Sequence, residues 1–542
     1  MSPAEVARTI IDEQAIGEVL AGKARPDAVR VREILARARE AKGLEMPEVA
    51  ALAAVSDPEL LGEVFAAARE VKERIYGRRL VVFAPLYVSN MCANECLYCA
   101  FRARNKAVAR RALSVEEIER EVRMLIEQGQ KRVLLVAGES YPQKGFDYVL
   151  EAIEAVYRVK SSETGSSRLP GRGHPGAKER AALLHPGQAP GSSVSSSAAG
   201  EMDVHALRPA AGGHESVPPP GEPRGASGEI RRVNVNVAPL TLEEFRRLKA
   251  AKIGTYQLFQ ETYHRETYAR VHLAGKKRDY DWRVTAMDRA MQAGIDDVGI
   301  GVLFGLCDWR FDVLAMMQHI RYLEREYGVG PHTISVPRLE PAAGSDMATS
   351  PPHPVGDVDF RKIVAVLRLA VPYTGIIMST RETPNIRRES FALGVSQISA
   401  GSRTNPGGYS EDDEEGRNQV GTARLDSDGG QFSLGDHRSL DEVIRDVAAL
   451  GYIPSFCTAC YRLGRTGGDF MDLARPGEIK EHCDPNALST FTEYLLDYAS
   501  PATREVGERL VADTLAVMPA SQRRSSEAMI AKIRAGKRDV YC

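Results

Sequence analysis

The chain has 542 residues, too long for one hydrophobic core, because cores stop growing at about 250 to 300 residues. Its 43% hydrophobic and 27% charged residues are ordinary for a globular protein, and a formal net charge of -2 gives no polyanion-binding surface by default, so nucleic acid is not a favoured partner. The start lacks a signal-peptide pattern and no apolar stretch approaches the roughly 18 residues that span a bilayer, so we expect a cytoplasmic protein with no membrane partner.

Residues 1–78 carry apolar side chains at helical spacing among charges, which predicts an N-terminal helical extension. Over residues 79–400, apolar β-rich runs alternate with amphipathic helical patterns. Such repeated strand-helix units predict the α/β class and a TIM-like (β/α) barrel, complete or partial. The runs are LVVFAPLYVS, KRVLLVAGE, RRVNVNVAPL, IGTYQLFQE, DDVGIGVLFGL, HTISVPRLEP, YTGIIMSTRE and GVSQISAGS.

One segment interrupts the barrel pattern. Residues 161–227 are rich in Ser, Gly, Pro and Ala and cannot bury enough apolar area to order themselves, so we predict a disordered insertion. We interpret its four histidines as solvated linker residues rather than metal ligands. An acidic loop at about 411–430 has a similar character, and residues 401–542 are predicted to form a mainly helical C-terminal domain.

Six of the eight cysteines fall into two groups, which in a reducing compartment indicates metal or cluster ligation. Cys92, Cys96 and Cys99 have the spacing C-x3-C-x2-C after the first predicted strand. Three thiolates can hold three irons of a 4Fe-4S cluster and leave the fourth open to a substrate. The alternative is a structural zinc site, but zinc normally takes four ligands and this loop offers three. Cys307 is expected to be a packing residue and Cys542 a free thiol.

The second group has the spacing C-x2-C-x22-C and consists of Cys457, Cys460 and Cys483. It again supplies three thiolates, so a second 4Fe-4S cluster with an open iron is expected. The alternative is a zinc ribbon with His482 as the fourth ligand.

The first group resembles the cluster loop of the radical S-adenosylmethionine (SAM) superfamily. There, SAM chelates the open iron through its amino and carboxylate groups, and one electron cleaves the sulfonium to a 5′-deoxyadenosyl radical. The resemblance implies that Tyr98 lies by the adenine and that Gly138 and Glu139 contact the SAM amino group. Gln260 and Glu261 end a later strand, where SAM-facing polar residues are expected.

Longer motifs narrow the resemblance: CTACYRLGRTG, FQETYHRETY, DDVGIGVLFGL and GPHTISVPRLEP are similar to the HydG family of FeFe-hydrogenase maturases. That family implies a tyrosine lyase, which breaks the Cα–Cβ bond to give p-cresol and dehydroglycine, and then CO and cyanide. These join a labile fifth iron on the second cluster, together with cysteine, as a precursor of the H-cluster. Implied partners are an electron donor such as ferredoxin or flavodoxin and other hydrogenase maturation proteins.

Barrel geometry assigns further residues, because all strand C-termini point to one mouth. Ser379 and Arg381 end one strand, so we expect them on the SAM side, where the fork of Arg381 binds a tyrosine carboxylate and Ser379 adds a hydroxyl. Arg338 ends another strand and is a similar candidate for SAM or substrate. His332 precedes that strand and is expected at the opposite mouth as a ligand to the labile iron, with His319 as a rival.

Two alternatives remain. The tyrosine lyase of thiazole synthesis, ThiH, shares the QETYH-like strand and the SAM chemistry but lacks the C-terminal cysteine group, so that group favours the maturase. A non-catalytic iron-sulfur carrier would not need the SAM-contacting motif at Gly138 and Glu139.

Overall fold

The computed structural model describes residues 3–22, 27–141, 144–160, 228–414 and 429–542. The predicted insertion at 161–227 and most of the acidic loop lie outside these ranges. The described residues belong to one compact unit, and the domain boundaries drawn from the sequence stay a prediction. Within the described ranges, no helix is long and apolar enough to cross a membrane.

Eight parallel strands close into a barrel, which confirms the predicted fold class. Closure is direct, because the first strand pairs with the second through Leu86 and Leu135 and with the eighth through Val82 and Ile398. All eight apolar runs of the sequence supply a strand. The strands are β1 (Arg79–Ser89), β2 (Arg132–Ala137), β3 (Arg232–Asn236), β4 (Tyr256–Glu261), β5 (Val298–Val302), β6 (Thr333–Ser335), β7 (Gly375–Met378) and β8 (Val395–Ser399).

A ninth strand, β9 (Ile453–Ser455), was not foreseen from the sequence. It pairs in parallel with the first residues of β1. Val81 pairs with Gln397 of β8 on one edge and with Ser455 of β9 on the other. β9 therefore lies on the same edge of β1 as β2, but nearer the N-terminal mouth of the barrel, and it brings residue 457 to that mouth.

Several helices begin at polar caps. Ser114, Thr241 and Ser439 each form a capping box with a glutamate three residues later, which satisfies free N–H groups of the first turn. The helices are α1 (Pro3–Ile10), α2 (Glu13–Ala21), α3 (Ala28–Ala38), α4 (Met46–Ala53), α5 (Pro58–Tyr76), α6 (Val115–Glu127), α7 (Asp147–Arg158), α8 (Leu242–Ala250), α9 (Arg265–Val271), α10 (Tyr280–Val284), α11 (Ala286–Gln292), α12 (Trp309–Tyr327), α13 (Asp346–Thr349), α14 (Asp357–Ala370), α15 (Pro384–Leu393), α16 (Gly408–Glu414), α17 (Leu440–Ala449), α18 (Ala459–Arg462), α19 (Gly467–Ala474), α20 (Ile479–Asp497), α21 (Pro501–Val517) and α22 (Ala520–Arg534).

Candidate active site and second cysteine site

Two cavities occupy the two mouths of the barrel, and β1 contributes to both. Phe83, Pro85 and Tyr87 line the larger cavity, of about 180 Å³, at the C-terminal mouth. Arg79 and Val81 line the smaller one, of about 50 Å³, at the N-terminal mouth. Alternate residues of a strand share a face, so the odd-numbered side chains of β1 from Arg79 to Tyr87 point into the barrel. We call these the first and the second cavity.

The three cysteines of the first group line the first cavity. Backbone hydrogen bonds fix their loop to the end of α9 and to the segment that follows it: the N–H of Leu97 donates to Val271 (3.0 Å) and the N–H of Glu95 donates to Ala274 (3.0 Å). Cys96 is buried, whereas Cys92 and Cys99 are half-buried. Burial raises the pKa of the Cys99 thiol to about 11, and it raises the pKa of the other two thiols as well.

The predicted SAM-contacting motif packs directly on this loop. A Cβ at Gly138 would lie 2.3 Å from the carbonyl oxygen of Met91, so only glycine permits this approach. The next residue, Glu139, lines the cavity and accepts a hydrogen bond from the Asn94 side chain at 2.7 Å. The structure thus places Glu139 beside the first cysteine group.

A buried network of four charges forms the polar end of the first cavity. Arg283 pairs with Glu139 at 2.9 Å and with Glu261 at 3.8 Å, and Lys277 donates to Glu261 at 2.6 Å. Glu261 has a φ of 72°, a left-handed conformation that is rare outside glycine, at an irregularity in the pairing of β4 with β5. Glu261 was predicted to face SAM. Lys277 and Arg283 were missed, because neither follows a strand and only the fold brings them to the cavity.

Tyr98, Ser379 and Arg381 also line the first cavity. The Tyr98 hydroxyl lies 2.9 Å from Nε2 of His272. The guanidinium carbon of Arg381 lies 3.2 Å from the centre of the Phe432 ring, and burial lowers the pKa of Arg381. Within the described ranges the Arg381 side chain forms no ion pair, which leaves its fork open to the cavity.

Gln260 and Arg338 lie outside the lining of the first cavity. Gln260 is buried, and its Nε2 has no hydrogen-bond partner among the described residues. Arg338 pairs instead with Glu382 and, at 2.9 Å, with Asp357. Strand alternation explains both positions, because their odd-numbered neighbours face the barrel interior.

The three cysteines of the second group line the second cavity together with His332. Nδ1 of His332 lies 3.6 Å from Asp297, and the imidazole packs on the ring of Phe470 with centroids 4.3 Å apart. Burial lowers the pKa of His332 to about 4. The rival His319 lies elsewhere, on α12, where Nδ1 is 2.8 Å from the Tyr263 hydroxyl.

Three buried arginines that sequence reasoning missed surround these cysteines: Arg79, Arg132 and Arg232. Arg132 donates to the Cys457 carbonyl at 2.5 Å, and Arg232 lies over the Tyr461 ring at 3.0 Å. Nε and Nη2 of Arg79 have no partner among the described residues. A signal was present in the sequence, since an arginine opens each of the first three strands, and these strands begin at the N-terminal mouth.

The alternative zinc ligand His482 and the two cysteines outside the groups line neither cavity. His482 does not line the second cavity, Cys307 is buried, and Cys542 is exposed. Within the described part of the chain, no three His, Cys, Asp or Glu side chains form a group that could hold a single metal ion.

Two family models match parts of this chain. Residues 86–185 match the radical SAM superfamily, and residues 335–453 match the biotin and thiamin synthesis associated domain. The crystal structure of HydG, a maturase of the FeFe-hydrogenase, is 41% identical with a TM-score of 0.80 and covers 99% of this chain and 100% of its own.

A second solved structure and a curated enzyme extend this similarity. The FeFe-hydrogenase maturase HydG from Carboxydothermus hydrogenoformans is 36% identical with a TM-score of 0.73, covering 98% of this chain and 100% of its own. The 2-iminoacetate synthase of Salmonella typhimurium is 27% identical over 419 residues, which are 77% of this chain and 88% of that enzyme.

Proposed function

Because the chain belongs to the HydG family of radical SAM FeFe-hydrogenase maturases, we propose that it is a tyrosine lyase. It cleaves the Cα–Cβ bond of tyrosine to p-cresol and dehydroglycine, and it supplies CO and cyanide on an iron that serves H-cluster assembly. The observation that carries this proposal is the pair of three-cysteine groups, one in each mouth of a single barrel.

The residues of the first cavity fit a 4Fe-4S cluster with SAM. Three thiols of one loop face the cavity, and Glu139 with its buried partner Arg283 stands beside them. When bound, the cluster and SAM supply a 5′-deoxyadenosyl radical that takes a hydrogen atom from the substrate. The carboxylate of Glu139 is placed to accept from an ammonium group, while Lys277 and Arg283 offer cationic donors to a carboxylate. Tyr98 supplies an aromatic wall for the adenine.

Arg381 and Ser379 bind and orient tyrosine in the same cavity. The guanidinium has no ion-pair partner in the described chain, and its fork matches a carboxylate bidentately. The Phe432 ring packs against the Arg381 guanidinium and restricts its rotation. Gln260 and Arg338 act on SAM indirectly, through the neighbouring residues that line the cavity.

The residues of the second cavity fit a second cluster that carries an extra iron. Three thiols and the neutral imidazole of His332 share the cavity, and imidazole suits iron. The buried, unpartnered nitrogens of Arg79 fit an anionic group, because a guanidinium buried without a partner is costly. His332 would hold the labile iron, on which CO, cyanide and cysteine are collected for other maturation proteins.

The 2-iminoacetate synthase similarity favours a second candidate, a lyase that serves thiazole synthesis. The second cysteine group and His332 in one cavity argue for the maturase, since a thiazole-type lyase needs no second cluster.

The test is anaerobic reconstitution with iron and sulfide, followed by SAM, dithionite and tyrosine. We expect p-cresol, CO and cyanide from the wild type, and p-cresol with little or no CO from Cys457→Ala/Cys460→Ala. p-Cresol with no CO from the wild type would favour the thiazole-type lyase. An iron-loaded wild type that cleaves no SAM would leave the non-catalytic carrier as the better account.

A further inference from the structure

Two strongly basic segments flank the first cysteine loop. Residues 100–113 contain five Lys or Arg and no Asp or Glu, and residues 265–278 contain five Lys or Arg and one Glu. The whole chain, by contrast, has a formal net charge of -2. The positive charge is thus concentrated next to one functional site.

Backbone contacts fix both segments on the loop. The N–H of Arg104 donates to the Glu95 carboxylate at 2.9 Å. From the other segment, the N–H of Leu273 donates to the Glu95 carbonyl at 2.9 Å, and the N–H of Lys277 donates to the Asn94 side chain at 3.0 Å. Glu95, which lies between the first two cysteines, therefore contacts both basic segments.

Four cations of these segments form what we call the basic face: Arg104, Lys106, Lys276 and Arg278. All four side chains are exposed, and none forms an ion pair with any other described residue. The adjacent exposed acid, Asp279, accepts from the N–H of residue 282 at 2.9 Å, so it is engaged in capping α10. The basic face keeps a net positive charge over the mouth that holds the first cysteine group.

The proposed function, on which this inference depends, consumes an electron at that cysteine group. We propose that the basic face is the docking surface of a small acidic electron-carrier protein. The reduced carrier loses one electron, and the cluster held by Cys92, Cys96 and Cys99 gains it. Leu273, which is 47% exposed and whose N–H bonds to Glu95 of the loop, offers an apolar contact beside these cations. Complementary charge raises the rate of encounter and orients the partners.

The test is the rate at which a reduced bacterial-type acidic ferredoxin is oxidised by the reconstituted enzyme with SAM, followed by stopped flow at low and high salt. Arg104→Glu/Arg278→Glu should lower the second-order rate constant at least about tenfold at low salt and remove most of its salt dependence. The matched control is Arg524→Glu/Lys532→Glu on α22, where both side chains are exposed; it should change the rate less than about twofold.

Dithionite separates docking from chemistry, because a small reductant needs no docking surface. The Arg104→Glu/Arg278→Glu variant should form p-cresol with dithionite as fast as the wild type. The docking proposal would be overturned if the wild type and the Arg104→Glu/Arg278→Glu variant oxidised ferredoxin at equal rates. It would also be overturned if that variant lost rate equally with ferredoxin and with dithionite. A wild type that forms no p-cresol with dithionite would instead refute the proposed function.

Discussion

Replacing Arg381 by lysine keeps the positive charge in the first cavity but removes the planar fork. If the fork binds the tyrosine carboxylate through two hydrogen bonds, lysine preserves at most one of them. A hydrogen bond to a charged group contributes about 1.5 to 3 kcal/mol, and each 1.4 kcal/mol is about a factor of ten. Lysine also loses the stacking of the guanidinium on Phe432, which lies 3.2 Å away. We expect the KM for tyrosine to rise about ten- to a hundredfold.

The assay is p-cresol formation against tyrosine concentration, with SAM and dithionite saturating. SAM cleavage in the absence of tyrosine should be nearly unchanged, because no hydrogen bond joins Arg381 to the cysteine loop among the described residues. Arg338→Lys is the matched comparison, since Arg338 pairs with Glu382 and Asp357 outside the cavity lining; its KM should stay near that of the wild type. An unchanged KM in Arg381→Lys, or an equal rise in both variants, would refute this assignment.

Three further outcomes are expected. His332→Ala should retain p-cresol formation but lose one iron per chain and the release of iron-bound CO, as measured by metal analysis and infrared spectroscopy; unchanged iron would exclude the histidine as its ligand. Gly138→Ala should prevent assembly of the first cluster, because the added Cβ would meet the Met91 carbonyl at 2.3 Å. The control Gly17→Ala, where nothing lies within 4 Å of the added Cβ, should assemble it normally. Equal iron content in the two variants would contradict this prediction. Burial raises the pKa of Asp312 to about 7, so the folded chain holds a proton there that the unfolded chain releases near pH 4. This group's contribution to stability therefore falls as the pH rises from about 4 to 7, and calorimetry should find Asp312→Asn gaining in melting temperature relative to the wild type over that range; parallel curves would count against it.

The barrel and the cysteine groups could be predicted from local signals. Eight apolar runs of strand length and two tight cysteine spacings need no knowledge of tertiary contacts. Ser379 and Arg381, predicted for the SAM side, both line the first cavity, as expected for residues that follow the C-terminal end of a barrel strand.

Side chains alternate between the two faces of a strand, and the prediction that two adjacent residues of β4 face SAM did not take this into account. Gln260 and Glu261 are adjacent on β4, and of the two only Glu261 lines the cavity. Lys277 and Arg283 come from the connection after α9 and from α10, so no local pattern marks them. β9 has only three residues, too few for a periodic signal, and its position depends entirely on pairing with β1.

β1 has eleven residues, which span roughly 33 Å at about 3.3 Å per residue. One end of this strand pairs with β9 two residues before Cys457, and the other end leads directly into the loop of Cys92. Both cysteine sites are therefore anchored to one continuous piece of backbone rather than to parts that move independently. Inserting a single residue in β1 would turn every later inward side chain outward. The distance between the two sites is thus set by the length of β1. That length can change only by an even number of residues if the side chains that face the barrel interior are to keep facing it.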